Sequence, residues 1–286
     1  MIAQSFDYSA PESLSEALAL LGSGDDTRVL AGGQSLIPMM KLRLSTPSHV
    51  IDLGRIAELH YIAQTDGNIR IGAMSTHHQV ATSDTLRQHC PLLAEVAGCI
   101  GDVQVRNLGT IGGSVAHADP AADYPAALQA LRAKVRLISK GGDRTVSAEE
   151  FFVDAFTTAL REKEILYEVI VPVDPSGVGS AYLKLQQPAS GFSVVGVAAQ
   201  IARQAGKIST ARVGITGVAS KSYRAKGVEA ALEGKPANSE TLAEASRAAA
   251  DGVEGLNDVY AAAEYRAHVA QVYTRRALER ALSRAK

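Results

Sequence analysis

The hydrophobic positions near the start of the chain repeat with the period of an α-helix. In the segment SFDYSAPESLSEALALLGSG, four apolar residues share one helical face: Leu14, Ala17, Leu18 and Leu21. Ser13 precedes them as a residue type that caps helix N-termini, and Gly22 follows them as a stop signal. This pattern predicts a short strand, a capped helix and a turn, in that order.

Short apolar runs then alternate with turn signals. TRVLAGG and SHVIDLG have the length of buried strands, and HYIAQTDGNIRIGAMST predicts a hairpin with Asp66-Gly67 at its turn. Residues 84–100 have a helical pattern. Farther along, residues 194–202 and 207–218 predict two long strands on either side of Ala205-Gly206.

The order of these elements indicates the fold class. A proline-rich break, Pro172-Val-Asp-Pro175, predicts a linker, and an alanine-rich helical tail begins near Ser239. Strands followed by a block of helices favour an α+β fold over a doubly wound parallel sheet.

Composition narrows the function classes. The chain has 286 residues, 46% hydrophobic content, a net charge of -1 and a pI near 6.7, without a run of five like charges. This balance argues against a nucleic-acid partner held by electrostatics. No apolar run approaches the roughly 20 residues of a membrane span, and the start lacks a secretory-signal pattern, so we expect a cytoplasmic protein without a membrane span.

Cysteine and histidine give little sign of a metal site. The two cysteines, Cys90 and Cys99, are expected to be reduced and structural, because a cysteine-ligated iron–sulfur cluster usually needs four thiolates. His77 and His78 have no second ligand cluster in the sequence. We therefore predict no metal ligands on this chain. The sequence also shows no convincing acid–base residue, so we predict no catalytic residues.

Two glycine-rich stretches carry the strongest chemical signal. Gly32 and Gly33 follow a predicted strand, and Gly109, Gly112 and Gly113 lie within five residues of one another beside the hydroxyls of Thr110 and Ser114. Paired glycines allow a ligand to approach the backbone, whose N–H groups can converge on an anion. Neither a P-loop nor a Rossmann fingerprint is present. The two stretches predict a dinucleotide phosphate site; the alternative for each one alone is a tight structural turn.

The stretches AGGQSLIPMMKLRL and TIGGSVAHADPAADYPAAL closely resemble the paired signatures of a known family. It comprises the FAD-binding medium (flavoprotein) subunits of molybdenum hydroxylases, the carbon monoxide dehydrogenase and xanthine dehydrogenase family. The resemblance extends over the whole chain, through FDYSAPESLSEALALL, EILYEVIVP, AYLKLQQPASGFSVVGVAA and AEYRAHVAQVYTRRALERAL.

The resemblance implies a particular architecture. Residues 1–175 would form an FAD-binding domain of the vanillyl-alcohol-oxidase-like (PCMH) type, with subdomains of about 1–55 and 56–175 that hold the cofactor between them. Residues 176–286 would form a smaller C-terminal domain, a three-stranded sheet with helices.

The resemblance also implies which residues bind FAD. The pyrophosphate would be bound by one set in each loop: Ala31, Gly32, Gly33, Gln34 and Ser35 in the first, and Thr110, Ile111, Gly112, Gly113 and Ser114 in the second. Asp123 would contact the ribose–adenine half, with a helix N-cap before Tyr124 as its structural alternative. Leu166 would meet the flavin ring with its backbone.

Three further positions are implied to lie near the isoalloxazine. Lys184 would favour the anionic reduced flavin, so that Lys184→Met should change the flavin potential more than the stability of the fold; the alternative is a surface lysine. Ile100 or Gly101 would pack beside the ring. Phe192 occupies a position where some relatives carry tyrosine. His117 is expected to line the cofactor cleft.

The function implied is electron transfer. The chain would hold FAD, take electrons from the [2Fe–2S] clusters of a small subunit and pass them to an external acceptor. A large subunit with a molybdenum–pterin cofactor would oxidise the organic substrate, and the complex would be a dimer of heterotrimers. The first alternative is a self-sufficient FAD-dependent oxidase of a small substrate, which needs an acid–base residue over the flavin. The second alternative is a non-catalytic nucleotide-binding or regulatory protein.

Overall fold

The N-terminal part of the chain is a small parallel sheet with one helix packed against it, and a second helix follows its second strand. The structure is a computed structural model that describes residues 2–23 and 26–286. The strands lie in the order β1-β3-β2; the elements are β1 (Asp7–Ser9), α1 (Leu14–Leu21), β2 (Thr27–Leu30), α2 (Leu36–Lys41) and β3 (His49–Asp52). The predicted helix is confirmed: the Ser13 hydroxyl caps it by accepting from the Glu16 N–H, and Leu14, Ala17 and Leu18 are buried.

A five-stranded antiparallel sheet follows, in the order β4-β5-β10-β6-β7. Its strands are β4 (Ile62–Thr65), β5 (Asn68–Gly72), β6 (Lys134–Ser139), β7 (Gly142–Ser147) and β10 (Ile165–Pro172). The predicted hairpin is confirmed, because β4 and β5 pair around Asp66 (φ 53°) and Gly67 (φ 71°). Positive φ at both central residues is what a two-residue hairpin turn requires.

Helices fill the long connection between β5 and β6. They are α3 (His77–Thr82), α4 (Asp84–His89), α5 (Pro91–Gly98), α6 (Val103–Leu108), α7 (Ile111–His117) and α8 (Tyr124–Ala130). The predicted helical character of residues 84–100 is confirmed, with the stretch divided into the two helices α4 and α5. Pro91 ends α4 and starts α5, since a proline lacks the N–H needed inside a helix but is well suited to its first turn. The short elements α9 (Ala148–Phe151), β8 (Phe152–Asp154) and β9 (Thr157–Thr158) come before β10.

The C-terminal part is an antiparallel sheet packed against helices. It has four strands rather than the three expected, because the two-residue strand β14 pairs with Gly214 and Ile215 at its edge. The elements are β11 (Gly179–Gln186), β12 (Ser193–Gln204), β13 (Lys207–Thr216), β14 (Tyr223–Arg224), α10 (Lys226–Leu232), α11 (Ser239–Ala245) and α12 (Ala263–Arg284). The two predicted long strands are confirmed as β12 and β13.

Three hydrophobic clusters hold these layers together. One lies between the five-stranded sheet and helices α3, α4, α5, α7 and α8, a second between the C-terminal sheet and its helices, and a third against the N-terminal sheet. The mixed helix and sheet class predicted from the sequence is therefore confirmed. Among the residues described, no helix is long and apolar enough to cross a membrane.

A buried carboxyl lies where the chain passes from β10 to the C-terminal sheet. Asp174 accepts a 2.7 Å hydrogen bond at Oδ1 from Gln200 Nε2, while its buried Oδ2 has no partner among the residues described. Burial raises the pKa of Asp174 from 3.8 to about 6, although Gln200 and Arg212 act in the opposite direction. The folded chain therefore binds this proton more tightly than the unfolded chain does.

We expect Asp174→Asn to change how stability depends on pH. A raised pKa in the folded state stabilises the native chain below the unfolded pKa, and this contribution is lost as pH rises through about 6. The wild type should lose roughly 1–3 kcal/mol of unfolding free energy between pH 4 and pH 8 from this group, and Asp174→Asn should lose none of it. Denaturant unfolding at a series of pH values measures the difference. Asp251→Asn, which removes an exposed carboxylate, is the control; parallel pH profiles for all three chains would contradict the assignment.

Candidate functional site

The first glycine loop connects β2 to α2. Gly33 has a φ of +72°, a conformation that a side chain makes costly. Gly32 is constrained by its surroundings instead: a Cβ there would lie 2.2 Å from the Leu108 carbonyl oxygen and 2.6 Å from the Gly109 Cα. The two glycine-rich stretches are therefore in direct backbone contact, and Gly32 is the residue that permits it.

The second loop forms the start of α7. Thr110 is the N-cap, and its hydroxyl accepts from the Gly113 N–H at 3.1 Å. The Ile111 N–H donates to Ser75 O at 3.0 Å, and the Gly112 N–H donates to Ala73 O at 2.9 Å. These amides are thus engaged inside the protein. Ile111 is fully buried in the core, so the structure does not bring it to the cleft as the resemblance implied.

Free backbone donors come from the first loop. The N–H groups of Gly33, Gln34 and Ser35 donate to no acceptor in residues 2–23 and 26–286. Consecutive amides of this kind, one of them at a glycine with positive φ, suit an anion. The chemistry of the donor set therefore fits a pyrophosphate, with amides from the first loop and the Ser35 and Ser114 hydroxyls beside them.

Two cavities meet at the glycine loops. One has a volume of about 170 Å³ and the other about 670 Å³. Both are lined by the same five residues: Gly32, Gly33, Ser35, Gly113 and His117. The loops therefore border both cavities, here called the smaller and the larger end of one cleft.

The remaining predicted residues divide between the two ends. The smaller cavity is also lined by Gln34, Thr110, Ser114 and Asp123, together with Ile100, Gly101 and Phe192. The larger cavity is also lined by Ala31, Gly112 and Leu166. Phe192 is 44% exposed, which leaves its ring available to a ligand at the mouth of the smaller cavity.

Asp123 and Lys184 form a buried ion pair beneath the smaller cavity. Lys184 Nζ lies 3.0 Å from the Asp123 carboxylate and donates to Gly191 O at 2.8 Å. The Tyr182 hydroxyl and the Ser193 hydroxyl donate to Asp123 Oδ1 at 2.5 and 2.8 Å. Burial raises the pKa of Asp123, and the Lys184 charge opposes that shift most strongly.

This pair argues against the structural alternative for each of the two residues. The Lys184 side chain is only 6% exposed, so it is not a surface lysine, and the Asp123 side chain makes no helix-capping bond in the part of the chain described. Asp123 lines the smaller cavity and Leu166 the larger one. Since Asp123 is paired with Lys184, these two residues cannot serve opposite halves of an extended FAD, as the resemblance implied.

Two further residues line the cleft without having been predicted as ligands. His77 Nδ1 lies 3.1 Å from the Tyr124 hydroxyl, and burial, followed by the Arg106 charge, lowers the pKa of His77 to about 4, so the ring is neutral at pH 7. Thr27 lines the larger cavity, and its buried Oγ1 lacks a partner among the described residues. No local sequence signal marks either residue, because burial and cavity lining depend on the whole fold.

Comparisons with known proteins match both parts of the chain. Residues 4–174 match the family model of the FAD binding domain in molybdopterin dehydrogenase, and residues 180–281 match the CO dehydrogenase flavoprotein C-terminal domain. The chain is 40% identical over 285 residues to the carbon monoxide dehydrogenase medium chain of Hydrogenophaga pseudoflava, with 99% of both chains covered. It is 38% identical over 284 residues to the 6-hydroxypseudooxynicotine dehydrogenase complex subunit alpha of Paenarthrobacter nicotinovorans, covering 99% of this chain and 96% of that one.

A solved structure gives the same result. The structure is that of a carbon monoxide dehydrogenase from Hydrogenophaga pseudoflava, in a form that lacks the Mo-pyranopterin moiety of the molybdenum cofactor. The chain superposes on one chain of that enzyme with a TM-score of 0.97 and 41% sequence identity, and the match covers 100% of both chains. Together with the two family models, this similarity covers nearly the whole sequence. The chain therefore belongs to the family of FAD-binding medium subunits of molybdenum hydroxylases.

Proposed function

We propose that FAD lies along the cleft with its diphosphate at the junction of the two cavities. The observation that carries this proposal is the backbone contact between the loops at Gly32, which places the free amides of the first loop beside Gly113. The isoalloxazine would occupy the smaller end, between Ile100 and Phe192 and above the Asp123–Lys184 pair. The adenosine would occupy the larger end, beside Leu166.

Within this arrangement each group has a defined task. The first-loop amides and the Ser35 and Ser114 hydroxyls bind the diphosphate. The Lys184 cation, held by Asp123, stabilises negative charge that develops at the smaller end. When bound, FAD supplies the redox chemistry, accepting and releasing electrons singly or in pairs. The protein fixes its position and tunes its potential.

We propose that the chain transfers electrons within a complex. It takes them from [2Fe–2S] clusters of a small subunit and passes them to an external acceptor, while a molybdenum–pterin subunit oxidises the substrate. We further propose a dimer of heterotrimers in the cytoplasm. The identity of the substrate does not follow from the similarity, since relatives at 40% and 38% identity act on carbon monoxide and on 6-hydroxypseudooxynicotine.

The domain organisation is also a proposal. Residues 1–175 would form a vanillyl-alcohol-oxidase-like (PCMH-type) FAD domain, with subdomains of about 1–55 and 56–175, and residues 176–286 a C-terminal domain. The separate hydrophobic cluster of the C-terminal sheet, which begins at Ala181, supports the boundary. The family models, which meet between residues 174 and 180, support it as well.

We expect the purified chain to bind about one FAD, identified after acid release, with a flavin absorbance spectrum. Adding a reduced iron–sulfur subunit should bleach that spectrum, because electrons pass to the flavin. A small organic substrate added to the chain alone should not bleach it. Bleaching by such a substrate without partners would favour the oxidase alternative. Absence of FAD from both the isolated chain and the co-expressed complex would overturn the proposed function.

A further inference from the structure

His117 lies at the centre of the cleft. It is one of the five residues that line both cavities, and the other four are Gly32, Gly33, Ser35 and Gly113. Those four were predicted to bind the pyrophosphate, and His117 was not. An imidazole at this junction would lie beside any diphosphate bound there.

The His117 ring has an aromatic neighbour and makes no hydrogen bond among the described residues. Its centroid lies 5.1 Å from that of Phe156, with the planes tilted by 51°. Phe156 lies in the turn between β8 and β9 and has a φ of +53°. Its N–H donates to Ala118 O at 3.0 Å, which joins this turn to the end of α7. Within the described part of the chain, neither ring nitrogen of His117 has a hydrogen-bond partner. Both nitrogens are therefore available to a ligand.

Burial disfavours the protonated form of the His117 ring in the chain without cofactor. Burial lowers the pKa of His117, and Asp119 opposes the shift. The elements packed against α7 are α8, β9 and β10, and the charged residue that β10 carries, Glu168, is paired with Arg70 at 2.7 Å. The other titratable groups that line the two cavities are His77, Asp119 and Asp123 at the smaller end and Asp26, Arg28, Arg161, Glu162, Lys163 and Glu164 at the larger end.

We propose that His117 is a proton-dependent ligand of the FAD diphosphate, neutral in the free chain and protonated once the diphosphate lies against it. The inference rests on the proposed function, since it requires FAD in this cleft. A solvent proton is taken up as the cofactor binds, and no bond is formed or broken in the cofactor. The imidazolium then donates a charge-assisted hydrogen bond to a phosphate oxygen.

The expected pH dependence follows from linkage. A negatively charged neighbour favours the protonated ring, so the proton is bound more tightly in the complex than in the free chain. FAD affinity should therefore be highest at low pH. It should fall as the pH rises from the pKa of His117 in the free chain to its higher pKa in the FAD complex. Above both values the ring is neutral in either state, and the dependence ends.

The test is FAD affinity as a function of pH in the full chain, measured by flavin fluorescence for the wild type and for His117→Gln. Wild-type affinity should fall roughly tenfold from about pH 5.5 to about pH 8.5, the change that one pKa unit produces. His117→Gln should show a flat profile that meets the wild type at the alkaline end. Phe156→Leu is the matched control, because it removes the stacking partner but keeps the imidazole, and it should retain the slope.

Calorimetry in buffers of different ionisation enthalpy gives a measurement that does not depend on a variant. Wild-type chain should take up part of a proton on binding FAD and none on binding riboflavin, which lacks the diphosphate. Equal slopes in wild type and His117→Gln, or equal proton uptake with FAD and riboflavin, would overturn the inference alone. Failure of the wild type to bind FAD at any pH would overturn the proposed function and this inference with it.

Discussion

Gly32→Ala is expected to release FAD from the chain. The single added Cβ would lie 2.2 Å from Leu108 O, 2.8 Å from the Leu108 carbonyl carbon and 2.6 Å from the Gly109 Cα, all of them backbone atoms that cannot rotate away. The first loop must then move off the second. Overpacking of this kind costs about 1–3 kcal/mol and occasionally more, which as lost binding energy means roughly 5- to 150-fold weaker FAD retention. The ratio of flavin absorbance to protein after gel filtration measures it.

Gly98→Ala is the matched control for this substitution. A Cβ at Gly98, the last residue of α5, would meet no heavy atom within 4 Å in the part of the chain that the structure describes. Alanine there should keep full flavin content and melt at the wild-type temperature or slightly above it. A fully yellow Gly32→Ala chain would contradict the contact between the loops. Loss of flavin from both variants would point to a general effect of the substitution.

Lys184→Met is expected to destabilise the fold as well as to shift the flavin potential, in contrast to the sequence-based expectation. The Lys184 and Asp123 side chains are 6% and 4% exposed, so removing the cation leaves a carboxylate buried without its counter-charge. Breaking a buried ion pair in this way costs about 3–5 kcal/mol. Denaturant unfolding at pH 8 should show that loss. The loss of stability should be smaller at pH 5, because burial without Lys184 raises the pKa of the Asp123 carboxyl and favours its neutral, protonated form.

The double variant Asp123→Asn/Lys184→Met separates the pair from its parts. The asparagine is neutral and can still accept from the Tyr182 and Ser193 hydroxyls at the former Oδ1 position. Much of the lost stability should return, which gives a coupling energy in a double-mutant cycle. Lys226→Met, which removes an exposed lysine paired with Glu149, is the surface control and should cost less than about 1 kcal/mol. Equal effects of Lys184→Met and Lys226→Met would contradict the buried pair.

Local signals account for what could be predicted from the sequence. Helix α1 and the β4–β5 hairpin follow from a repeating apolar face, a capping serine and an Asp-Gly turn, each of which lies within a few residues. The long strands β12 and β13 follow from extended apolar runs around one turn. The helical pattern of residues 84–100 was a local signal as well, and the structure divides that stretch into two helices at Pro91.

The site shows the limit of such reasoning. The glycine pairs correctly marked the cleft, but the sequence did not distinguish the glycine that packs loop against loop, Gly32, from the loop amides that remain free. It also placed Asp123 and Lys184 at opposite ends of the cofactor. The two residues are 61 positions apart, and only the packing of β11 near the start of α8 brings them together.

By itself, then, the sequence indicated the α+β class and a dinucleotide phosphate site at the two glycine loops, because glycine pairs, caps and hydrophobic periods act over short distances along the chain. The family and the FAD cofactor came from the resemblance of its motifs to known proteins, which the family models confirm. The tertiary structure decided which end of the cleft each residue serves, that Lys184 is buried in an ion pair, and that His117 lies where both cavities meet. These are properties of burial and of contacts between residues distant in sequence. They come into existence only when the sheets and helices pack, since packing sets which polar groups lose water and which find a partner.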